Sequence, residues 1–94
     1  MEIIWRPSAI EDIEHARRYI TQFNPKAAAR IFQAIRASVR TLANLPERGR
    51  PGRVEGTREL VVPRTPYLVA YSVIDQQLVI LAVLHHAREW PGAF

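Results

Sequence analysis

Residues 57–85 read TRELVVPRTPYLVAYSVIDQQLVILAVLH, and this stretch carries the strongest structural signal in the chain. Its apolar runs are rich in Val, Ile, Leu and Tyr and are bounded by turn residues, which is typical of β-strands. We predict strands at Thr57–Val62, Tyr67–Ile74 and Leu78–His85. The short Asp75-Gln76-Gln77 junction suits a hairpin between the last two strands. Because these two strands are apolar on both faces, they belong in the middle of a sheet.

The start of the chain indicates one strand followed by a helix. Met1–Trp5 is a short apolar run that Arg6-Pro7 ends. Ser8 and Glu11 have the spacing of a capping box, in which each side chain satisfies a free amide at the start of a helix. The predicted helix has apolar residues at spacings of three and four, namely Ile10, Ile13, Ala16, Ile20 and Phe23.

A second helix begins at Asn24-Pro25, since Asn is a favourable N-cap and Pro is tolerated at the first helical position. We predict that it runs to about Leu45, where Pro46 ends it. Its predicted buried stripe comprises Ala28, Ile31, Phe32, Ile35, Val39, Leu42 and Leu45, with Arg30, Arg36 and Arg40 off the stripe. The order β, αα, βββ predicts a single α+β domain over residues 1–94, with an N-terminal strand, a two-helix hairpin and a three-stranded antiparallel sheet.

The composition indicates an anionic partner. The chain has a formal net charge of +4 and a pI near 10.3, with twelve arginines, one lysine and nine acidic residues. Such an excess attracts nucleic acid or an acidic protein, although a high-GC coding bias would also favour arginine. The absence of cysteine excludes disulfides and thiolate chemistry, and no run reaches the roughly 20 apolar residues of a membrane span. We therefore expect a cytosolic protein with no membrane association, no metal and no other cofactor.

A basic loop is the first candidate site. Residues 46–56, PERGRPGRVEG, contain three glycines, two prolines and three arginines and predict irregular structure. We expect the turns at Pro63 and Pro66 to bring Arg58 and Arg64 to the same end of the sheet, where they would form a phosphate-sized positive patch. The anion-binding set is Arg48, Arg50, Arg53, Arg58 and Arg64. A solvated basic loop without a ligand would carry the same residues.

The end of the last strand is the second candidate, with the sequence His85-His86-Ala87-Arg88. A histidine there could act as general acid or base, and Arg88 could stabilise a pentavalent phosphate during RNA cleavage. Adjacent residues of a strand point to opposite faces, so at most one histidine joins a given site, and we favour His86. A structural role for both histidines is the alternative.

Aromatic side chains form the third candidate. Tyr67 and Tyr71 share a sheet face. Tyr67, at the mouth of its strand, could stack on a base, whereas Tyr71 fits a core position with a satisfied hydroxyl. Trp90 and Phe94 either pin the tail to the sheet or belong to a partner surface. No P-loop, dinucleotide-binding turn, nucleophile elbow or metal-spaced cluster is present, so the residues alone lead to a basic α+β domain with a candidate anion site.

Several segments resemble the RelE/ParE superfamily of toxins. Residues 58–73 look like its strand led by Arg, followed by a turn and a Y-x-(V/L)-x-Y-x-V strand. Residues 78–88 look like its (V/I)-x-(I/L)-x-x-V-x-H strand with a nearby Arg. The helical segment RPSAIEDIEHARRYI, at residues 6–20, is typical of the ParE branch. The resemblance therefore covers nearly the whole chain.

This resemblance implies the toxic half of a type II toxin–antitoxin pair. The partner would be a cognate, ParD-like antitoxin with a DNA-binding N-terminal domain and a disordered tail that wraps the toxin. RelE-like members cut mRNA in the ribosome with several basic residues and a tail Tyr or His. ParE-like members inhibit DNA gyrase and have no nuclease activity.

Departures from the RelE pattern favour the ParE branch. The strand has Glu59 and Val61 where RelE-like toxins have lysines. In the turn that follows, this chain has Pro63 where RelE-like toxins have an arginine, and Arg64 comes next. The tail has no Tyr. We therefore favour a gyrase inhibitor with the target-binding residues Arg48, Arg50, Arg53, Arg58, Arg64, Arg88, Tyr67 and Trp90. One alternative is a RelE-like ribosome-dependent endoribonuclease that uses Arg58, Arg64, His86 and Arg88. The other is a non-toxic binding module retained with its antitoxin.

Overall fold

The structure, a computed structural model, describes residues 1–87. Its elements are β1 (Glu2–Trp5), α1 (Pro7–Phe23), α2 (Pro25–Asn44), a 3₁₀ turn (Pro46–Arg48), β2 (Arg50–Pro51), β3 (Arg58–Val61), β4 (Tyr67–Ile74) and β5 (Gln77–His85). The α+β class is confirmed, and β3, β4 and β5 lie where strands were predicted. The predicted site residues Arg88 and Trp90, and the prediction for the tail, lie outside the described residues.

The strands within residues 1–87 form one sheet in the order β1-β5-β4-β3-β2. We expected a three-stranded antiparallel sheet, but this sheet has five strands, and β1 runs parallel to β5. The reason is that the helical hairpin after β1 provides the long crossover that parallel neighbours require. β2 lies inside residues 46–56, the segment that was predicted to be irregular, and its two residues pair with β3. β4 and β5 are central, as predicted.

Asp75 and Gln76 connect β4 to β5 in the predicted hairpin. Both residues have positive φ, 50° and 62°, as a two-residue type I′ turn requires. The twist of this turn matches the twist of the strands, so it sets the register in which Ile74 lies opposite Gln77.

The predicted capping box at the start of α1 is wrong. Arg6 is the N-cap, Pro7 occupies the first turn, and no side chain caps the helix. The Ser8 hydroxyl instead donates to the carbonyl of Leu81 at 2.8 Å, and the Asp12 carboxylate accepts from the N–H of Val83 at 2.9 Å. β1 ends opposite Ile80, and Leu81 is skipped in the register between β4 and β5. These two side chains therefore satisfy backbone groups of β5 beyond the end of β1.

Both helices contribute to the core over one face of the sheet. The predicted stripe of α2 is buried, except that Leu45 lies after the end of the helix and is 57% exposed. The predicted stripe of α1 is buried at Ala16 and partly buried at Ile13 and Ile20. It is wrong at its two ends, since Ile10 and Phe23 are 50% and 72% exposed, and Ala9 is buried instead. Small side chains let a helix approach a sheet closely, and this close contact determines which face of α1 is buried.

Neither helix has the length and apolar character that a bilayer crossing needs within residues 1–87.

Asn24 caps α2 as predicted, with its Oδ1 accepting from the N–H of Ala27 at 3.1 Å. We expect Asn24→Ala to lower the free energy of unfolding by about 1 kcal/mol, because this amide loses its partner. Urea denaturation measures the change. Asn44→Ala, at the other end of α2, is the control, and an equal loss in both variants would contradict the assignment of the cap.

Candidate functional site

Tyr71 anchors the start of the basic loop to the sheet. Its side chain is fully buried, and its hydroxyl donates to the carbonyl of Pro46 at 2.6 Å and accepts from the N–H of Gly49 at 2.9 Å. The predicted core position with a satisfied hydroxyl is confirmed. Burial raises the pKa of the Tyr71 phenol, while the Gly49 hydrogen bond and the charge of Arg58 act in the opposite direction.

Arg58 is the second anchor of the loop. Its Nη1 donates to the carbonyls of Gly49 at 2.7 Å and Glu47 at 3.3 Å, and the side chain is half-buried. Guanidinium donors that bind backbone carbonyls have correspondingly less capacity for a phosphate. In the described residues Arg58 therefore helps to build the loop, a role that the sequence pattern did not indicate.

Arg48, Arg50 and Arg53 project from the anchored loop and are exposed. The Nε of Arg50 donates to Oε1 of Glu59, whose side chain is only 6% exposed. The second carboxylate oxygen of Glu59 has no hydrogen-bond partner in the described part of the chain. Arg50 therefore compensates a buried negative charge, whereas Arg48 and Arg53 have no ion-pair partner within residues 1–87.

Arg58 and Arg64 lie at opposite ends of β3, so the expectation that they share one end of the sheet is wrong. Arg58 is the first residue of β3, and Arg64 follows its last residue in the turn before β4. A strand advances about 3.3 Å per residue, so the length of β3 separates the two backbone positions. The Arg58 guanidinium is in addition bound to the carbonyls of Glu47 and Gly49, at its own end of the strand. Pro63 and Pro66 bound a turn that starts β4, and this turn does not carry the chain back to the beginning of β3.

A second basic surface surrounds Arg64. This residue is exposed and has a left-handed φ of 60°. Its carbonyl accepts from Nη1 of Arg30 at 3.2 Å, and the nearby carbonyl of Pro66 accepts from the N–H of His86 at 2.8 Å. The backbone of Arg64 and that of His86 therefore lie at the same end of the sheet, and the Arg30 side chain reaches this end from α2. Sequence reasoning missed Arg30, and its only signal was a position off the buried stripe of α2.

The histidines at the end of β5 do not point to opposite faces, which corrects the prediction. β5 ends at His85, so His86 lies in a turn, and the ring centroids are 4.9 Å apart. Tyr67 is 9% exposed and meets the His85 ring edge-on at 5.6 Å. Tyr67 therefore packs in the core, and its ring is not presented at the surface for stacking on a base.

A groove of about 320 Å³ separates α1 from the end of the sheet, and its lining includes Asp12, His15, Tyr19, Tyr67 and His85. Sequence reasoning did not select Asp12 or His15, because only the tertiary structure brings α1 beside β5. Across residues 1–87, no group of three His, Asp or Glu side chains is placed to hold a metal ion.

Comparisons with known proteins agree with this architecture. Residues 3–90 match the family described as ParE toxin of type II toxin–antitoxin system, parDE. The Sinorhizobium fredii protein Y4kP, named as a candidate toxin, is 39% identical over 95% of this chain and 92% of its own length. The Caulobacter vibrioides protein named toxin RelE2 is 36% identical over 93% of this chain and 97% of its own.

A solved structure shows the same fold. A chain of the chromosomal ParDE TA system from P. aeruginosa superposes with a TM-score of 0.83 and 25% identity, covering 90% of this chain and 95% of that one. The family match extends from β1 to beyond β5, so it includes both helices and the whole sheet. This chain is therefore a member of the ParE toxin family of type II toxin–antitoxin systems.

Proposed function

We propose that this protein is a toxin that inhibits DNA gyrase without cleaving nucleic acid, and that a cognate antitoxin neutralises it. Membership of the ParE family and the likeness to a chain of a ParDE system support the proposal. The observation on which it chiefly rests is the separation of Arg58 from Arg64 by the length of β3.

Phosphodiester cleavage needs proton-transfer groups and a cationic stabiliser within reach of one phosphate. Arg58 uses Nη1 on the carbonyls of Glu47 and Gly49, at the opposite end of β3 from Arg64. In the described part of the chain, therefore, Arg64 and His86 of the nuclease set share one end of the sheet, and Arg58 lies at the other end of β3. This arrangement favours a toxin that acts by binding.

The surface that we propose for gyrase consists of Arg48 and Arg53. Both side chains are exposed and lack ion-pair partners among residues 1–87. The Tyr71 and Arg58 contacts hold the segment of Arg48, and a hydrogen bond from the N–H of Gly52 to the carbonyl of Thr57 closes the turn that carries Arg53. A fixed loop presents its charges at a lower conformational cost on binding than a free loop does.

One observation favours an endoribonuclease as the second candidate. The Arg30 side chain and the His86 backbone both bind carbonyls of the turn that carries Arg64, and a relative named RelE2 is 36% identical. In such a nuclease an arginine would stabilise the phosphate and a histidine would transfer the proton.

Expression without antitoxin, followed by separate pulse-labelling of DNA and protein synthesis, distinguishes these candidates. We expect DNA synthesis to fall and an SOS reporter to respond before protein synthesis declines, and we expect the purified protein to inhibit gyrase supercoiling. Earlier arrest of protein synthesis with codon-positioned mRNA cuts would establish the nuclease instead. Harmless expression of a folded protein would indicate a non-toxic binding module.

Paired substitutions locate the activity. We expect Arg48→Glu with Arg53→Glu to weaken gyrase inhibition by about tenfold or more, because charge reversal at an interface introduces repulsion. The comparison variant carries Arg64→Asn and His86→Ala, in which Asn tolerates the left-handed backbone at position 64. It should keep inhibition within about twofold, since surface changes outside an interface are nearly neutral. Loss of toxicity in the comparison variant alone would contradict the proposed surface.

A further inference from the structure

The face of the sheet that points away from the helices, which we call the outer face, is buried at one end. Residues of β4 and β5 that point towards α1 and α2 belong to the main core, whereas a separate apolar cluster lies on the outer face, namely Leu68, Ala70, Ala82 and Leu84. Leu68 and Leu84 are only 3% and 5% exposed. Side chains of this size reach such burial when other atoms pack over them.

The burial is confined to the end of the outer face at which β5 finishes. Val61 lies opposite Leu68 on this face, and Ile74 lies further along β4 on the same face, yet these two side chains are 51% and 44% exposed. The basic loop reaches the hairpin end of β4, where the Ser72 hydroxyl donates to the carbonyl of Gly56 at 2.8 Å. Within residues 1–87 the apolar cluster contains residues of β4 and β5 only, so neither helix packs on it.

A buried carboxylate on the outer face lacks one hydrogen bond. Glu59 lies opposite Ala70, so its side chain is on this face beside the apolar cluster. Arg50 donates to Oε1, whereas the buried Oε2 has no partner in the described part of the chain. A buried oxygen without a donor carries its full desolvation cost, so we expect a donor from beyond residue 87.

Residues 88–94, REWPGAF, begin at this end of the outer face. His86 lies in a turn after β5, and its N–H donates to the carbonyl of Pro66, just before β4. Seven extended residues span up to about 23 Å, whereas His85 and Ala82 are separated along β5 by about 10 Å. Trp90 combines a large apolar ring with one N–H donor, which are the two properties that the outer face requires.

We propose that residues 88–94 fold back across the outer face. The Trp90 ring covers Ala70 and Ala82, whose small side chains leave room for it, and the indole N–H donates to Oε2 of Glu59. This inference assigns Trp90 to the fold, one of the two roles that the sequence leaves open, and removes it from the target-binding set. It does not depend on the proposed function, since every test uses the purified full-length chain alone.

Tryptophan fluorescence tests whether Trp90 is covered. The chain has two tryptophans, so Trp5→Phe leaves Trp90 as the single reporter. We expect blue-shifted emission and weak quenching by acrylamide, both of which urea abolishes. The control carries Trp5→Phe, Trp90→Phe and Val61→Trp, which places one indole at an exposed position of the same face. Quenching of Trp90 as strong as that of the control indole would overturn the fold-back.

Cysteine alkylation tests what Trp90 covers. The chain has no cysteine, and Ala82→Cys and Ala28→Cys each place one buried thiol, the first on the outer face and the second in the main core. We expect Trp90→Ala to speed alkylation at position 82 by about tenfold or more, because local exposure needs no global unfolding, and to leave position 28 unchanged. An unchanged rate at position 82, or equal acceleration at both positions, would overturn the proposed cover.

A double-mutant cycle tests the hydrogen bond to Glu59. Trp90→Phe keeps an aromatic ring and removes the N–H. We expect this change to lower the equilibrium constant for folding by at least about fivefold more in the wild-type background than in Glu59→Ala, since the bond has a charged acceptor. Equal effects in the two backgrounds would overturn the assignment of Trp90 as the donor to Oε2.

Discussion

Gly49→Ala should be the most destabilising small substitution in the basic loop. A Cβ at this position would lie 2.5 Å from the Tyr71 hydroxyl oxygen and 2.8 Å from the Glu59 carbonyl oxygen. Tyr71 is fully buried and the second contact is backbone, so neither atom can move away cheaply. Overpacking of this kind costs about 3 kcal/mol, and we expect the melting temperature to fall by about 15 °C.

A comparison with Gly56→Ala tests whether the steric clash causes the loss of stability in Gly49→Ala. Gly49 has a φ of −72°, which any residue adopts, whereas Gly56 has a φ of +81°, and a Cβ added there would meet no atom within 4 Å. Gly56→Ala should therefore cost only about 1 kcal/mol of left-handed strain. Equal losses in the two alanine variants, measured by urea denaturation, would argue against the close packing of Gly49 on Tyr71.

Tyr71→Phe should have the second largest effect on stability. Removal of the hydroxyl leaves the carbonyl of Pro46 and the N–H of Gly49 without their partner. We expect a loss of about 2 kcal/mol in the free energy of unfolding at neutral pH, because unsatisfied buried groups keep their desolvation cost. Tyr19→Phe is the control, since Tyr19 is 61% exposed and should tolerate the change.

The same hydroxyl makes stability depend on alkaline pH. Burial raises the pKa of Tyr71 in the folded protein above the value of about 10 for an unfolded chain, so the fold favours the protonated phenol. The stabilisation is complete below about pH 10 and is lost as the pH rises through the folded pKa. The difference in stability between the wild type and Tyr71→Phe should therefore shrink above about pH 10. A constant difference from pH 7 to pH 11 would contradict this linkage.

Coupling between Gly49 and Tyr71 can be measured in a double-mutant cycle. Tyr71→Phe removes the atom closest to the new Cβ of Gly49→Ala, although the ring carbon at 2.8 Å remains. The double variant should therefore be less destabilised than the sum of the two single variants. Additive losses would show that the two residues stabilise the loop independently.

The Tyr71 anchor connects stability to the proposed activity. Its partners Pro46 and Gly49 flank Arg48, and Arg58 binds the carbonyl of Gly49 from β3. Loss of the anchor would free the segment that presents Arg48, whereas Arg53 lies in a turn that the hydrogen bond from the N–H of Gly52 to the carbonyl of Thr57 closes. Variants at Gly49 and Tyr71 should therefore weaken gyrase inhibition even at temperatures at which the rest of the chain remains folded.

The sequence by itself determined the elements whose cause is local. These elements depend on side chains that lie a few residues apart in the sequence. They are the apolar stripe of α2, the Asn24 cap and the strands β4 and β5, and all of them were predicted. The family resemblance likewise rests on short segments in fixed order, and the comparisons confirm it. Local pattern was therefore sufficient for the class of fold and the class of protein.

Only the tertiary structure decided which residues meet across the chain. Three features join residues from different elements. They are the pairing of β1 with β5, the hydrogen bond from Ser8 to Leu81, and the hydrogen bond from Arg58 to the carbonyl of Gly49. The capping-box pattern at Ser8 was locally reasonable, but the unpaired carbonyl of Leu81 provided a competing hydrogen-bond partner. Arg58 and Arg64 were separated for a similar reason, since the direction and length of β3 determine where each side chain lies. Such contacts depend on how whole helices and strands are arranged in space, and the spacing of residues along the sequence does not determine that arrangement.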